Sequence, residues 1–287
     1  MRIRSFSNEQ GILYLVATPI GKMQDITLRA IEIIKTVDKI YAEDTRNSIN
    51  LLKHYNITTH LESYHEFNQE TKTSDVIDEI KSGKNIALIS DAGLPVISDP
   101  GYKIVKEARK EGLRVSTIPG PSAGISALIA SGIAPMPYTF YGFLDSKQSK
   151  RIQELNDIKY INHTIIFYEA PHRLHDTLAD MYSVLGNRDI CIARELTKTF
   201  EEYIETNLSD AINLEPLKGE IVLILEGYKE NTDTNINPME RIDELIKLGY
   251  KPNEAIKEAA KQLNMDRKEL YKNYSNYKNS TRGNLNE

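Results

Sequence analysis

The chain has 287 residues, of which 40% are apolar and 27% charged, so it is long enough for two globular domains with packed cores. A formal net charge of −5 gives no overall attraction for a polyanion, and any nucleic-acid contact therefore needs a local basic patch. The single cysteine, Cys191, excludes an intrachain disulfide framework and a cysteine zinc cluster, and its apolar surroundings predict a buried, inert thiol.

Strands and helices alternate over the first 120 residues. Apolar runs predict strands at 11–18, 39–43, 85–90 and 113–118. Amphipathic patterns predict helices at 25–37, with Asp25 as N-cap, and at 101–112. This alternation is typical of a parallel sheet covered by helices, in which ligands bind at the carboxyl ends of the strands.

The part of the sequence after residue 120 has a different order of predicted elements, with more strands and fewer helices. Strand-like segments lie at 138–144, 163–169, 189–196, 201–206 and 220–227, and helical patterns at 147–158, 172–185 and 208–214. The last strands follow one another closely, which predicts a mixed sheet. A turn in which Pro119 and Pro121 bracket Gly120 predicts a domain boundary, giving α/β domains over 11–120 and 121–228.

The C-terminal region is predicted to be helical and to follow a polar linker at 229–238. Over 238–287 the pattern resembles a helix-turn-helix, and residues 251–287 carry eight Lys or Arg against five Asp or Glu. The spacing of Tyr271, Tyr274 and Tyr277 favours a packing stripe over a base-stacking platform. No apolar run reaches the roughly 20 residues of a membrane span, and the N-terminal segment is not a signal peptide, so we expect a cytoplasmic protein.

Three unusual loops follow predicted strands. The longest, SDAGLPVISDPG at 90–101, combines two acids with glycines and prolines, and it exceeds the roughly 2–6 residues of a simple connection. We interpret it as a rigid binding loop, with Asp99 favoured as a helix cap. In PGPSAG, Ser122 begins a helix whose free N–H groups could hold a carboxylate or simply be capped. ATPIGKMQD at 17–25 matches neither nucleotide-binding glycine pattern.

Charged residues also cluster at predicted strand ends. Glu43, Asp44 and Arg46 form either an internal ion-pair network or one side of a reaction cleft. The strings FYEAPHR and ARELTK are either solvated strand ends or part of the same cleft, and they contain Glu169, His172, Arg173, Arg194, Glu195 and Lys198. The six histidines show no metal-ligand spacing, and we expect no metal site.

Taken in order, these motifs resemble the tetrapyrrole methylase family, and within it the bacterial small-subunit ribosomal RNA (cytidine-2′-O)-methyltransferases. The resemblance rests on ATPIG, AEDTR, SDAGLPVISDPG, PGPSAG, GFL, FYEAPHR, RELTK and KGEIVL and covers about residues 11–228. It implies two α/β domains with S-adenosylmethionine in the cleft between them, a homodimer, and a cytidine ribose in the decoding region of 16S rRNA or the small ribosomal subunit as substrate. Leu94 stands where relatives often have threonine, and Lys22–Met23 where Asn-Leu is common.

The resemblance also implies roles for particular residues. The donor-binding positions are Pro19, Asp91, Ala92, Gly93, Leu94, Ile97, Ser122, Ala123, Tyr168, Glu169, Leu196 and Glu220. A 2′-hydroxyl needs a general base, for which Asp44, Glu43 and Glu169 are candidates. Contacts to phosphate or a developing oxyanion are expected from Lys22, Arg46, Arg173 and Lys198. RNA contacts are expected from Arg173, Arg194, Lys198, Arg267, Lys268, Lys272 and Lys278.

Two other functions compete with this one. Other members of the family methylate tetrapyrroles, so a small-molecule methyltransferase is the first alternative; the FYEAPHR and RELTK strings and the basic tail argue against it. The second is a non-enzymatic nucleic-acid-binding protein that uses the helical C-terminal region, which leaves two-thirds of the chain without a role.

Overall fold

The computed structural model describes residues 11–65, 67–229, 237–247, 250–263 and 265–283. It divides into two compact units, the first ending at Tyr228 and the second beginning at Lys229. Most of the predicted linker at 229–238 lies outside the described residues. Both sheets belong to the first unit, and the domain boundary near residue 120 stays a prediction.

The first sheet is parallel throughout, as predicted, with the strand order β3-β2-β4-β1-β5. Its strands are β1 (Ile12–Val16), β2 (Lys39–Ala42), β3 (Leu61–Ser63), β4 (Ile86–Ile89) and β5 (Arg114–Ile118). Its helices are α1 (Leu28–Thr36), α2 (Thr45–His54), α3 (Gln69–Lys81) and α4 (Tyr102–Lys110). Helices cover both faces, which explains why the central strands are nearly continuous aliphatic runs. Because β4, β1 and β5 are neighbours, their carboxyl ends bring the three unusual loops together.

The second sheet is mixed, also as predicted, with the order β6-β7-β10-β8-β9 and only β6 and β7 parallel. Its strands are β6 (Tyr138–Phe143), β7 (Thr164–Glu169), β8 (Asp189–Arg194), β9 (Glu202–Asn207) and β10 (Ile221–Leu225). The helices of this half are α5 (Ala123–Ala130), α6 (Gln148–Asp157), α7 (Leu174–Leu185) and α8 (Leu208–Ala211). Cys191 is buried in β8, as predicted, and burial raises the pKa of its thiol to about 11, which disfavours the reactive thiolate.

Two predicted helix caps are wrong. Asp25 closes a 3₁₀ turn at Met23–Asp25, and α1 is capped instead by Thr27, whose Oγ1 accepts a hydrogen bond from Ala30 N at 3.1 Å. The N-cap of α4 is Gly101, with φ +132° and no side-chain bond, so Asp99 lies too far upstream to cap this helix.

The second unit contains α9 (Pro238–Lys247), α10 (Pro252–Gln262) and α11 (Arg267–Gly283). Its core packs Ile242 and Leu245 against Ile256, Leu270 and Tyr274. The tyrosine stripe is only partly a packing feature, because Tyr274 and Tyr277 join the core while Tyr271 is exposed. Across the described residues, no helix combines the length and apolar character that crossing a bilayer requires.

Candidate functional site

The loops after β1 (residues 17–22) and β4 (residues 90–101) are tied together by backbone and side-chain bonds. Thr18 N donates to Gly93 O at 2.8 Å, and Gly93 N donates to Thr18 O at 3.1 Å. The Thr18 hydroxyl donates to Ser90 O at 3.1 Å, and the Ser90 hydroxyl to Gly93 O at 3.0 Å. The β5 loop (residues 119–122) joins them so closely that a Cβ on Gly120 would lie 2.8 Å from Ala17 Cβ. The three loops therefore form one packed edge.

The β4 loop has an unusual backbone. Gly93 and Gly101 have positive φ, and so do two residues with side chains, Val96 at +78° and Ser98 at +63°. A β-branched residue in this region costs on the order of 1–3 kcal/mol and persists only where its surroundings fix it. Val96 packs partly buried against the core of the first sheet, while Ile97 beside it stays half exposed. Such stored strain is typical of a ligand-binding loop.

The two halves of the first unit meet where the β1 loop reaches the loop after β8 (residues 195–201). Lys22 N donates to Thr197 Oγ1 at 2.9 Å. A Cβ on Gly21 would lie 2.6 Å from that same hydroxyl and 2.9 Å from Leu196 O, so only glycine permits this approach. Glu195 and Thr197 both adopt positive φ in the β8 loop. This contact closes one side of a cleft between the two sheets.

The cleft contains a cavity of about 740 Å³, which we call the inter-sheet cavity. Its size lies within the roughly 300–1,000 Å³ of small-molecule sites. Eleven of the twelve predicted donor-binding residues line it: Asp91, Ala92, Gly93, Leu94, Ile97, Ser122, Ala123, Tyr168, Glu169, Leu196 and Glu220. Pro19 does not line it, but its neighbour Ile20 does. Lining residues that the sequence did not indicate include Ser98, Asp99, Ile125, Tyr138, Phe140 and Phe143.

Tyr168 and Ser122 stand where the two halves face each other. The Tyr168 hydroxyl accepts a hydrogen bond from Gly124 N, in the first turn of α5, at 3.2 Å. Its ring packs edge-to-face on Phe140 and Phe143, with centroids 5.1 and 5.6 Å apart, and burial raises the pKa of its phenol. Ser122 is the N-cap of α5, as predicted, yet its side chain makes no cap bond. Its hydroxyl is therefore not committed to capping the helix.

Asp91, which lines the cavity, is hydrogen-bonded to the start of α2. The carboxylate of Asp91 accepts bonds from Asn47 Nδ2 at 2.8 Å and from Asp44 N at 3.3 Å. Asp44 is the N-cap of α2 and binds the Arg46 guanidinium at 2.6 Å. Hydrogen bonds from the Arg46 side chain and backbone lower the pKa of Asp44 to about 2. The Arg46 side chain is itself 88% exposed, so it can also meet an external anion.

Asp99 is the residue that sequence reasoning missed. It lines the inter-sheet cavity instead of capping α4, and it is half-buried. Burial, together with the neighbouring carboxyl groups of Glu43 and Asp91, raises the pKa of Asp99 to about 7. Neither spacing nor composition could have indicated this, because Glu43 approaches from the end of a different strand.

Glu169 lines the cavity, but both of its carboxylate oxygens are occupied. Oε1 accepts from Ala170 N at 2.8 Å and lies 3.3 Å from Arg173 Nε, while Oε2 accepts from Thr177 Oγ1 at 2.6 Å. The side chain is 1% exposed. These contacts fix the first turn of α7, and Arg173 also donates to Leu144 O at 2.7 Å.

The cations at the end of β8 and in the loop that follows it are paired within the protein. Lys198 Nζ lies 3.0 Å from both Glu195 Oε1 and Glu220 Oε2. The hydrogen bond from Glu220 N, followed by that from Lys198, lowers the pKa of Glu195. Arg194 pairs with the Glu202 carboxylate and donates to Lys218 O. These residues stabilise the cavity wall on the side of the second sheet.

The remaining predicted residues lie elsewhere. Lys22 is exposed and contacts the β8 loop through its backbone. Arg267, Lys268 and Lys272 are exposed on α11 of the second unit, whereas Lys278 pairs with Asp243 at 2.8 Å. Within the described ranges, no group of three or more His, Cys, Asp or Glu side chains is arranged to hold a metal ion.

Comparison with solved structures identifies the fold. The chain superposes with a TM-score of 0.60 on diphthine synthase, at 13% identity and covering 75% of this chain and 89% of that one. It superposes at 0.53 on uroporphyrin-III-C-methyltransferase from Thermus thermophilus, at 15% identity and covering 75% and 94%. At these identities the likeness shows the fold alone.

Comparison of sequences is more specific. The family model for tetrapyrrole (corrin/porphyrin) methylases matches residues 12–212. The chain is 47% identical over 277 residues to ribosomal RNA small subunit methyltransferase I of Bacillus subtilis, covering 93% of this chain and 95% of that protein. It is 45% identical over 276 residues to the protein of the same name from Halalkalibacterium halodurans, covering 93% and 96%. The chain therefore belongs to the tetrapyrrole methylase family, among the proteins named ribosomal RNA small subunit methyltransferase I.

Proposed function

We propose that the chain is an S-adenosylmethionine-dependent methyltransferase that 2′-O-methylates a cytidine ribose in the decoding region of 16S rRNA. The similarity to the ribosomal RNA methyltransferases along 93% of the chain carries this proposal. The inter-sheet cavity supports it, because it is lined by nearly all the residues that the resemblance assigns to the methyl donor. A ribosomal RNA substrate also implies a cytoplasmic location.

The residues of the cavity suit this donor. Aliphatic side chains from both halves, among them Ile20, Leu94 and Leu196, offer an apolar surface to an adenine ring. The carboxylate of Asp91 favours a cationic group, and the Ser122 hydroxyl at the start of α5 favours a carboxylate. When bound, the donor supplies a methyl group on a positively charged sulfur. It contributes no base, so the protein must take up the proton of the acceptor hydroxyl.

The three acids that the sequence left equivalent as candidate bases differ in their surroundings. Asp44 is a weak base near neutral pH, because Arg46 holds its pKa near 2. Glu169 is a poor candidate too, since both of its oxygens accept bonds from the protein. Glu43 is not among the lining residues of the cavity, but its carboxyl group lies beside that of Asp99, which does line it. Arg46 and Lys22 are exposed and suit phosphate contacts, whereas Arg173, Arg194 and Lys198 have internal partners.

We propose that α11 binds RNA. Arg267, Lys268 and Lys272 are exposed together with Tyr271, and the spacing of three and four residues places Lys268, Tyr271 and Lys272 on one side of the helix. Exposed cations neutralise phosphates, and an exposed tyrosine can stack on an unpaired base. In this role the second unit supplies the local basic patch that a chain of net charge −5 needs.

We also propose a homodimer, formed through apolar side chains that are exposed on and after α5. Ile129 is 75% exposed and Met136 is 77% exposed, and Ile125 and Tyr138 extend the same stretch. Exposed apolar clusters of this kind are typical of protein–protein interfaces. Ile125 and Tyr138 also line the inter-sheet cavity, so the partner would lie beside the site.

The activity itself is tested with labelled S-adenosylmethionine and three acceptors: small ribosomal subunits, naked 16S rRNA and a tetrapyrrole. We expect label in the ribosomal RNA, recovered after nuclease digestion as a single 2′-O-methylcytidine in the decoding region. Mapping by mass spectrometry identifies the nucleotide. Label on the base or on the tetrapyrrole would contradict the proposal.

Replacing Asp91 with alanine should weaken donor binding about 10- to 100-fold, because a hydrogen bond to a charged group contributes about 1.5–3 kcal/mol. Calorimetry with the donor measures this. Arg46→Ala is the matched control: its side chain is 88% exposed and pairs with Asp44 instead of lining the cavity, so donor affinity should stay unchanged while methyl transfer falls. Normal donor affinity in Asp91→Ala would exclude Asp91 from the donor site.

Replacing Arg267, Lys268 and Lys272 together with glutamine should weaken RNA binding and reduce its salt dependence. Three lost phosphate contacts lower the slope of log K against log salt by about 2 to 3. Binding isotherms at several salt concentrations measure the slope. A triple glutamine variant of Lys81, Lys106 and Lys110, on α3 and α4, changes net charge equally and should keep the wild-type slope. Equal slopes in both variants would contradict RNA binding by α11.

Ile129→Asp should convert the dimer into a monomer, because it places a charge within the apolar contact. Light scattering coupled to gel filtration measures the mass. Leu28→Asp, at an equally exposed position on α1, should remain dimeric. A wild-type protein with the mass of one chain would rule out the homodimer.

A further inference from the structure

Three carboxyl groups converge on one wall of the inter-sheet cavity. Glu43 follows β2, while Asp91 and Asp99 belong to the loop after β4. These strands are parallel neighbours, with Ala42 opposite Ile89, so both loops leave the same edge of the sheet. Asp99 and Asp91 line the cavity directly, and the Glu43 carboxyl lies within hydrogen-bond reach of Asp99.

The surroundings of Asp99 make it basic. Burial raises its pKa to about 7, and the negative charges of Glu43 and Asp91 act in the same direction. From the second half of the unit, the Tyr168 phenol lies close enough to Asp99 for the charge of Asp99 to raise the pKa of the phenol. A carboxyl group in these surroundings is partly ionised near neutral pH, which is the condition under which a general base is most effective.

Helix capping does not explain this placement of Asp99. It does not cap α4, whose N-cap is Gly101. Its ionised form lies half-buried beside two other acids, which costs stability. Groups that lower stability while facing a cavity are typical of functional sites.

We propose that Asp99 is the catalytic residue that accepts the proton of the ribose 2′-hydroxyl, and that Glu43 is a positioning residue that keeps Asp99 basic. This inference rests on the proposed function. The ribose oxygen forms a bond to the methyl carbon as the carbon–sulfur bond breaks, and the electron pair of that bond stays on sulfur, leaving a neutral thioether. The hydroxyl proton moves to the Asp99 carboxylate and then to water, so one proton is released per methyl group transferred.

The test compares wild type, Asp99→Asn and Glu43→Gln, with Glu107→Gln on α4 as a control, because Glu107 pairs with Lys110 on the surface. Asp99→Asn should lower kcat by about 10²- to 10⁴-fold, the range for loss of a general base. Its donor Kd, measured by calorimetry, should not change. Glu43→Gln should move the acidic limb of the kcat–pH profile to lower pH, because Asp99 then loses an anionic neighbour. Glu107→Gln should match wild type in each measurement.

Unfolding temperature provides a readout that needs neither donor nor RNA. The pKa of Asp99 is about 7 in the folded protein against an ordinary value of 3.8, so its ionisation destabilises the fold as pH rises through this range. Asp99→Asn removes that charge and should unfold at a higher temperature than wild type at pH 8.5. The gap should narrow as the pH falls to 5.

Several outcomes would overturn the inference. A wild-type kcat in Asp99→Asn would do so while leaving the proposed function in place, as would a parallel loss of donor affinity, which indicates a binding role. A lower unfolding temperature of Asp99→Asn at pH 8.5 would show that Asp99 serves the fold. A wild-type protein that methylates no ribose would overturn the proposed function as well.

Discussion

The antiparallel bridge between Thr18 and Gly93 is the contact on which the site depends. It joins the loops of two neighbouring parallel strands immediately beyond their ends. The pairing of β1 with β4 therefore also fixes the positions of the loop residues that line the cavity. With Gly93 fixed, Asp91 and Leu94 on either side of it face the cavity. The strained residues Val96 and Ser98 are tolerated because both ends of their loop are held, one by this bridge and the other by α4.

The sheets could be predicted from the sequence because their central strands are continuous aliphatic runs, which parallel or sandwiched strands require. β4 and β10 are buried at every position. β3 and α3 went unpredicted for the opposite reason. β3 is a three-residue edge strand whose side chains are all half-buried, and α3 places its buried residues only between Val76 and Ile80 within a polar segment. Their pattern alone does not distinguish them from a loop.

The site was only partly accessible to sequence reasoning. The glycines, the prolines and the length of the β4 loop predict a binding loop. The identity of its ligand as a methyl donor was implied only by the resemblance to the family. Asp99 was misassigned because Asp-Pro-Gly before a helix is typical of a cap, and the positive φ of Gly101 that moves the cap downstream is a property of the folded backbone. Lys198 and Arg194 were expected to face RNA, yet Glu220 and Glu202 pair with them from positions that strand pairing brings near. Spacing along a chain does not reveal such partners.

The charge of the cavity fits the proposed chemistry before and after transfer. A cationic sulfonium donor is attracted by the carboxylate of Asp91, whereas the neutral thioether product is not, so this carboxylate favours the donor over its product. If Asp99 accepts the ribose proton, positive charge on sulfur and negative charge on the carboxylate disappear together, and the half-buried site holds no uncompensated charge at the end. The same acids repel RNA phosphates. On the proposed function, an acceptor polyanion is therefore held by cations away from the cavity wall, and the exposed Arg46 side chain suits that role.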